Sequence, residues 1–445
     1  MNYYIFTFGC QMNVSDSLWL DRSLQAMGLK PCNVEEEADI FLINTCSVRE
    51  KPEHKIYSLL GRLQEYIREK PHVFAGVGGC VAQQVGMGFL ERFSFVRLVF
   101  GTDGLVMVPE CIRRLLEDRH LKISLLDFQD HYPERPECWP DSSPAQAFVN
   151  IMQGCDNFCA YCIVPYTRGS QKSRSSQNIL NECFELVSRG CKEITLLGQN
   201  VNSYGQDKNG SEISFAELLK RVAGLPGLER LRFTTSHPKD IDREVIRAFG
   251  ELPALCPHLH LPLQSGSDRI LASMGRRYTS GDYTHIVDCL RTSCPDIALT
   301  TDLIVGFPGE KDADFQRTMD LVEKVGFDSS FSFKYSDRPG VPAEKMHPKI
   351  PDEIKADRLD RLQSLQGSLT RDRLAQRVGQ EEMVLIESQS KKQGPPGTVS
   401  WTGRDPGGRL VHVHLPRDRD CTGEVLRVAI VRAHKHSLSG EVVTC

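Results

Sequence analysis

Three cysteines crowd into one short stretch of the chain, in which residues 154–169 read GCDNFCAYCIVPYTRG directly after the strand-like run AFVNIM at 147–152. They are Cys155, Cys159 and Cys162, with the spacing C-x3-C-x2-C. Soft thiolates this close in sequence can chelate one metal centre. A closed zinc site needs a fourth ligand, and the next 20 residues contain no Cys or His. The spacing therefore favours a four-iron cluster with one open iron over zinc or three buried thiols.

This barrel triad, as we call Cys155, Cys159 and Cys162, follows the first of six strand-like runs in the middle of the chain. The other five are EITLLG (193–198), RLRFTT (230–235), HLHLPL (258–263), IALTTDLIVG (297–306) and SSFSFKYS (329–336). Helical stretches separate the runs at intervals of about 30–45 residues, which is typical of parallel strands joined by crossover helices. Six such strands favour an incomplete α/β barrel.

The first part of the chain alternates in the same way and predicts a parallel α/β sheet. Its strand-like runs are YYIFTFG, ADIFLINT and HVFAGVGG. We expect a first helix that is capped by Ser15 and ends at Gly28, a second from about 50 to 70, and a third from about 83 to 93.

A second set of cysteines follows those three runs. Cys10, Cys46 and Cys80 each come just after a predicted parallel strand, and the carboxyl ends of such strands share one edge of the sheet. A single thiol of this kind is more often a small buried hydrophobe. Three in the same topological position favour a second three-thiolate site, which we call the N-terminal triad. Asn13 and Asn44 flank it and could hydrogen-bond sulfur or shape the loops.

Changes in composition and in hydrophobic pattern suggest the domain boundaries. Residues 127–146 are proline-rich without a period and predict a linker between a domain at 1–126 and a barrel at 147–375. From 376 to 445 short β-rich runs broken by Gly and Pro predict a small all-β barrel.

Polar residues follow several predicted barrel strands, where a parallel barrel builds its active site. Each is a candidate contact to a cofactor or substrate in that site. The candidates are Gln199, Asn200, Asn202, Ser236, Gln264 and Asp302.

Composition sets outer limits on function. The 445 residues contain 54 Lys+Arg against 58 Asp+Glu, a net charge of −4, so that any contact with nucleic acid must come from local patches. The sequence has no run of 18 apolar residues and no signal-peptide pattern, which predicts a cytoplasmic protein without a membrane segment. Sixteen cysteines in a reducing compartment favour metal ligation over disulfides.

The stretch GCDNFCAYCIVPYTRG resembles the radical S-adenosylmethionine (SAM) enzymes, and specifically the methylthiotransferase family. The resemblance implies that the barrel triad holds a [4Fe–4S] cluster whose open iron binds SAM for reductive cleavage to a 5′-deoxyadenosyl radical. It places Tyr161 near the SAM adenine, although a core aromatic is an equal alternative, and gives Gln199, Asn200 and Asn202 a role in holding the SAM amino group. It assigns an auxiliary [4Fe–4S] cluster to the N-terminal triad.

The motifs GCQMN, LLGQNVNSYG, TTSHP and YSDRPGVPA are most similar to the MiaB branch of that family. This similarity implies methylthiolation of carbon 2 of isopentenyladenosine at tRNA position 37, beside the anticodon, with two SAM molecules per turnover. An electron donor such as flavodoxin or ferredoxin and a monomeric state are expected. Alternatives are methylthiolation of threonylcarbamoyladenosine or of a ribosomal protein aspartate, and, outside the enzymes, a redox-sensing RNA-binding protein.

Two groups of residues are candidate RNA contacts. Arg168, Lys172 and Arg174 form a basic run after the barrel triad and could bind phosphates, or else form a solvated loop. The C-terminal segment resembles the TRAM domain, an OB-like RNA-binding module. Such barrels combine cations with aromatic rings, and the candidates there are Trp401, Arg404 and Lys435.

Overall fold

The computed structural model of the chain describes residues 1–47, 50–68, 70, 72–136, 144–207, 210–416 and 420–443. Part of the predicted linker, at 137–143, therefore lies outside the described residues. No helix in the described part of the chain is long and apolar enough to cross a membrane.

The chain begins with a six-stranded sheet in the order β2-β1-β3-β4-β5-β6, and every neighbouring pair is parallel. Strands β3 and β4 lie at its centre and are buried along their whole length, which explains their continuous apolar runs. The strands are β1 (Asn2–Thr7), β2 (Lys30–Pro31), β3 (Ile40–Thr45), β4 (Phe74–Gly79), β5 (Val96–Phe100) and β6 (Ile123–Leu125). The helices are α1 (Gln11–Ala26), α2 (Glu50–Ile67), α3 (Cys80–Val85), α4 (Gly88–Arg92) and α5 (Val108–Glu117).

Two helix boundaries differ from the sequence expectation. Helix α1 begins at Gln11, with Cys10 rather than Ser15 as its N-cap, so the cysteine stands at the helix start. The helix expected over 83–93 is instead the two short helices α3 and α4, because Gly86 between them has φ +63° and ends α3. Gly28, with φ +85°, follows the end of α1 as predicted.

All six predicted strands of the middle region form, in two three-stranded parallel sheets. The strands of this region are β7 (Gln146–Asn150), β8 (Met152–Gln153), β9 (Lys172–Ser173), β10 (Glu193–Leu197), β11 (Arg230–Thr234), β12 (His258–His260), β13 (Ala298–Val305) and β14 (Ser329–Lys334). The sheet orders are β11-β10-β7 and β12-β13-β14, while β8 and β9 form a separate antiparallel pair. Strands β7 and β14 are the outer edges, as in an incomplete barrel.

Helices lie between and after these strands along the chain. They are α6 (Val164–Arg168), α7 (Ser176–Ser188), α8 (Phe215–Ala223), α9 (Arg243–Glu251), α10 (Asp268–Ser273), α11 (Ser280–Ser293), α12 (Asp312–Val325) and α13 (Asp352–Ala375). Alternate residues such as Ile194 and Phe233 join the large apolar core with the helices, while their neighbours Glu193 and Arg232 form an ion pair.

The chain ends in a closed five-stranded barrel in the order β15-β16-β17-β19-β18, which agrees with the TRAM-like prediction. Its strands are β15 (Glu381–Gln393), β16 (Thr398–Arg404), β17 (Leu410–Pro416), β18 (Val425–Ala433) and β19 (Leu438–Val442). It docks on the amino ends of the central strands. There Arg230 donates to the Arg404 carbonyl at 2.9 Å, and Arg232 donates to the carbonyls of Asp405 and Pro406, each at 2.9 Å.

Candidate active site

The N-terminal triad lies where the strand order of the first sheet reverses. Cys10 follows β1, Cys46 follows β3 and Cys80 follows β4. Strands β1 and β3 are neighbours in the sheet. After β1 the chain continues to β2 on one side of this pair, and after β3 it continues to β4 on the other side. Open α/β sheets bind ligands at such a switch point, at the carboxyl ends of the strands.

Close packing brings the loops of this triad together. Gly9 has φ +129°, and a Cβ at Gly9 would lie 2.3 Å from Cys46 Cβ, so only glycine lets the β1 loop approach Cys46. Asn13 Nδ2 donates to Asn44 Oδ1 at 2.8 Å, and Asn13 Oδ1 accepts from Cys10 Sγ at 3.2 Å. The two asparagines predicted to flank the triad therefore join its loops.

The N-terminal triad has a cationic neighbour from the barrel. A hydrogen bond with Cys46 and the nearby Arg168 guanidinium hold the pKa of the Cys10 thiol at about 5, against the opposing effect of burial. Burial is the largest single effect on the pKa of Arg168 and lowers it, but Cys80, Cys10 and Asp16 together outweigh burial and raise this pKa above its ordinary value. Cys10 therefore lies in an environment that favours a thiolate ligand.

The barrel triad has the opposite electrostatics. Burial raises the pKa of Cys155 to about 11 and that of Cys162 to about 12. Arg276 Nη1 lies 3.6 Å from Cys159 Sγ and 3.4 Å from the Tyr161 hydroxyl. Arg276 lowers the pKa of Cys162 too, but the effect of burial is larger, so thiolates at Cys155 and Cys162 would be stabilised by a bound metal centre.

The three side chains of each triad are thiols, which are soft metal donors. In the part of the chain that the structure describes, no three His, Cys, Asp or Glu side chains are grouped as ligands of one metal ion. A four-iron cluster with one open iron takes three thiolate ligands, so the residues of each triad fit that group.

Several predicted polar residues carry buried atoms with no hydrogen-bond partner among the described residues. They include both amide atoms of Asn202, Ser236 Oγ, Gln264 Oε1 and Asn200 Oδ1. Buried polar groups are nearly always satisfied, so this set at the carboxyl ends of β10, β11 and β12 fits a polar ligand such as the amino acid part of SAM.

The remaining predicted residues have protein partners. Gln199 Oε1 accepts from the Gly154 amide at 2.6 Å, and Gln199 Nε2 lies 2.7 Å from Met12 Sδ, so Gln199 connects the loop of the barrel triad to α1. Asn200 Nδ2 donates to Asp240 at 2.7 Å. Asp302 lies 3.4 Å from His260 Nε2.

Sequence reasoning missed two residues. Asn150, the last residue of β7, has both amide atoms buried without a partner in the described chain, and the strand-end rule that selected Gln199 could have found it. Arg276 follows α10 and reaches Cys159 only through the fold, so no local signal points to it.

Comparisons with known proteins now decide the family. Residues 149–322 match the Radical SAM superfamily, and residues 2–101 match the "Uncharacterized protein family UPF0004". A tRNA-2-methylthio-N(6)-dimethylallyladenosine synthase of Nitratidesulfovibrio vulgaris is 58% identical over 440 residues, which is 99% of this chain and 98% of that protein. The synthase of Geobacter sulfurreducens is 46% identical over 442 residues, 99% of this chain and 97% of its own. The chain belongs to this synthase family. It is a radical SAM tRNA methylthiotransferase.

Solved structures agree on the fold. The radical SAM methyltransferase TsrM from Kitasatospora setae, with cobalamin and a [4Fe-4S] cluster bound, is similar with a TM-score of 0.56 at 12% identity, over 90% of this chain and 80% of that one. The cobalamin-dependent radical SAM enzyme OxsB gives a TM-score of 0.51 at 14% identity, over 82% of this chain and 56% of that one.

In this methylthiotransferase, the basic run lies inside the protein rather than on an RNA-binding surface. Lys172 pairs with buried Asp103, and Arg174 pairs with Glu182 and Glu134. The expected phosphate contacts at Arg168, Lys172 and Arg174 are corrected accordingly, because all three side chains are buried.

The three candidates in the TRAM-like barrel of the methylthiotransferase differ in position. Trp401 is only 5% exposed and belongs to the core of that barrel, so its ring is not available for base stacking, which corrects that expectation. Arg404 is partly exposed and pairs with Glu387 at 3.0 Å. Lys435 is exposed between β18 and β19.

Proposed function

We propose that this methylthiotransferase attaches a methylthio group to carbon 2 of isopentenyladenosine at tRNA position 37, with two [4Fe–4S] clusters and two SAM molecules per turnover. The observation that carries the proposal is the pair of separate cysteine triads, one in each domain, joined through Met12. Met12 Sδ lies 2.7 Å from Arg168 Nη1 and 2.7 Å from Gln199 Nε2. Residues at the two triads are thus in direct contact.

The roles of the residues follow from their positions. Bound cluster and SAM supply a radical that can remove hydrogen from an unactivated C–H bond. The barrel triad holds the cluster that binds SAM, with Arg276 beside Cys159 and Tyr161. Asn202, Ser236 and Gln264 offer their free polar atoms to SAM. The N-terminal triad would hold the second cluster, with which the transferred sulfur is associated.

The domain boundaries at 126, 146 and 375 remain part of the proposal, with residues 376–445 as a TRAM domain that binds the anticodon stem-loop. Arg404 and Lys435 offer charge for phosphates on its surface. An electron donor of the flavodoxin or ferredoxin class, a monomeric state and a cytoplasmic location complete the proposal.

The substrate is tested with two anticodon stem-loops, one with isopentenyladenosine and one with threonylcarbamoyladenosine. The first modification is an apolar chain, whereas the second carries a carboxylate that needs a cationic or hydrogen-bonding partner when it is desolvated. We expect mass spectrometry to show methylthiolation of the isopentenyl substrate and far less of the other. Preference for the threonylcarbamoyl form would overturn the choice of substrate but not the two-cluster mechanism.

Cluster number is tested by iron and sulfide analysis after anaerobic reconstitution. Two [4Fe–4S] clusters give about eight of each per chain. A stable value near four would remove the second cluster, and a protein that holds only zinc would remove both.

A further inference from the structure

We propose that Arg168 is a positioning residue for the N-terminal triad: it crosses the boundary between barrel and first sheet and stabilises the negative charge of the group which that triad binds. This inference rests on the proposed second cluster. In this role, Arg168 of the barrel domain influences the reduction potential of a cluster whose ligands belong to the first domain. It also helps to retain that cluster.

The path of the chain explains how Arg168 reaches that position. Helix α6 begins at Val164, two residues after Cys162, and Arg168 is its last residue. Helix α6 packs against α3, whose first residue is Cys80. The side chain of Arg168 is 4% exposed and its Nη1 lies 2.7 Å from Met12 Sδ. The helix that follows the barrel triad therefore places the side chain of Arg168 beside the N-terminal triad.

The partners of Arg168 are unusual for a buried cation. They are sulfur atoms: the thioether of Met12, and the thiols of Cys80 and Cys10 that interact with its charge. The carboxylate that also acts on it, Asp16, is already paired with Arg135. Its Nη2 is buried and has no hydrogen-bond partner among the described residues.

Such a cation is costly unless an anion joins it, because burial removes its hydration. An iron–sulfur cluster with thiolate ligands supplies that anion, and it also supplies sulfur acceptors for the free N–H groups. A positive charge and hydrogen bonds at the sulfurs favour the reduced state, because reduction adds one negative charge. Arg168 thus raises the reduction potential of the cluster and holds it in place.

Lys172 shows what a cation with a purely structural role looks like at the same boundary. It is as deeply buried as Arg168 and also joins the two domains, but its partners are the Asp103 carboxylate and the Gln129 carbonyl at 3.0 Å. Lys172 is fully compensated without any cofactor. It is therefore a matched control for Arg168.

The experiment uses the full-length chain with Cys155, Cys159 and Cys162 replaced by Ala, so that only the N-terminal triad can bind a cluster. Arg168→Gln, Arg168→Lys and Lys172→Met are compared in that background. The measurements are iron content, the midpoint potential from an electron paramagnetic resonance titration, and the rate of iron loss to a chelator.

We expect Arg168→Gln to shift the midpoint potential to a more negative value and to lose iron faster, because loss of a partner outside the ligand shell typically weakens metal affinity about 10- to 100-fold. Arg168→Lys keeps the charge but not the forked donors, so its values should lie between those of Gln and Arg. This variant also provides the test if Arg168→Gln does not fold. Lys172→Met removes the interdomain ion pair but leaves the groups around the sulfur atoms in place, so in the folded protein it should change the potential and the rate of iron loss far less than Arg168→Gln.

Three results would overturn the inference, and they are distinguishable. Iron present with the same potential and loss rate in both Arg168 variants as in the parent would remove the role of Arg168 alone. An equal shift in Lys172→Met would show that domain docking, not the guanidinium, controls the cluster. Absence of iron in the parent background would remove the second cluster, and Arg168 with it.

Discussion

The barrel triad and the N-terminal triad each offer three thiols, but the chain brings the thiols together in different ways. The barrel triad lies in one loop, where burial raises the pKa of Cys155 to about 11. The N-terminal triad gathers three loops of a sheet, where Cys46 and Arg168 hold the pKa of Cys10 at about 5 against a partial loss of hydration. A ligand set can thus be built by sequence spacing or by topology, and only the second kind receives its countercharge from another domain.

The largest expected effect separates the two triads by function. Replacing the barrel triad with Ala should abolish formation of 5′-deoxyadenosine, because no open iron remains to bind SAM. Replacing the N-terminal triad with Ala should preserve reductive SAM cleavage but abolish methylthiolation of RNA. Chromatography of nucleosides with mass detection measures both products. Methylthiolated RNA from the second variant would contradict the assignment.

Thiol alkylation of the cluster-free protein at pH 7 tests the electrostatic contrast. A pKa of about 5 makes Cys10 almost wholly thiolate, whereas a pKa of about 11 leaves Cys155 protonated. The thiolate fraction favours Cys10 by about 10⁴, and its lower intrinsic nucleophilicity reduces this advantage to about 20-fold in rate.

Peptide mass spectrometry with iodoacetamide measures both rates, and urea-unfolded protein, in which the two should react alike, is the control. The Cys10 rate should fall as the pH drops through about 5, because the thiolate is then protonated. Equal rates in the folded protein at pH 7 would remove the contrast between the triads.

A third test asks how firmly the two triads' domains are held together. Lys172→Met removes one partner of a buried pair and leaves Asp103 uncompensated, so we expect a loss of about 3–5 kcal/mol in the free energy of unfolding. Urea unfolding measures it. Arg113→Ala, which breaks only exposed ion pairs, is the control and should have little effect. A loss no larger than that of the control would show that this pair does not hold the interface.

The smallest expected effect lies outside both triads, in the C-terminal barrel. Deleting residues 376–445 would strip Arg230 and Arg232 of their carbonyl partners, so single substitutions are the cleaner test. Arg404→Ala and Lys435→Ala should each weaken tRNA binding about two- to fivefold and reduce the salt slope by about 1.

Trp401→Phe is the matched control for these variants, because Trp401 is buried in the core of the barrel. It should leave tRNA affinity unchanged, and all three variants should keep full iron content. Unchanged affinity in both charge variants would exclude these two residues as phosphate contacts.

The sequence was informative where chemistry depends on spacing or strand ends. The barrel triad, the six barrel strands and the closed C-terminal barrel all follow from local patterns, and the free atoms of Asn202 and Ser236 lie at strand ends as expected. The basic run was misleading because its partners come from distant segments: Asp103 for Lys172, and Glu134 for Arg174. Local sequence shows that a charge exists but not that another domain covers it.

The docking of the C-terminal barrel has a consequence for how the substrate is chosen. That barrel is fastened to the amino end of β11 by Arg230, whereas the barrel triad lies beyond the carboxyl end of β7 in the same sheet. A five-residue strand such as β11 separates the two levels by about 17 Å. Because this connection is buried, the offset is fixed. An RNA bound to the C-terminal barrel would reach the barrel triad only with the nucleotide that lies at this distance. The enzyme would thus select its target nucleotide by its distance from the bound part of the RNA.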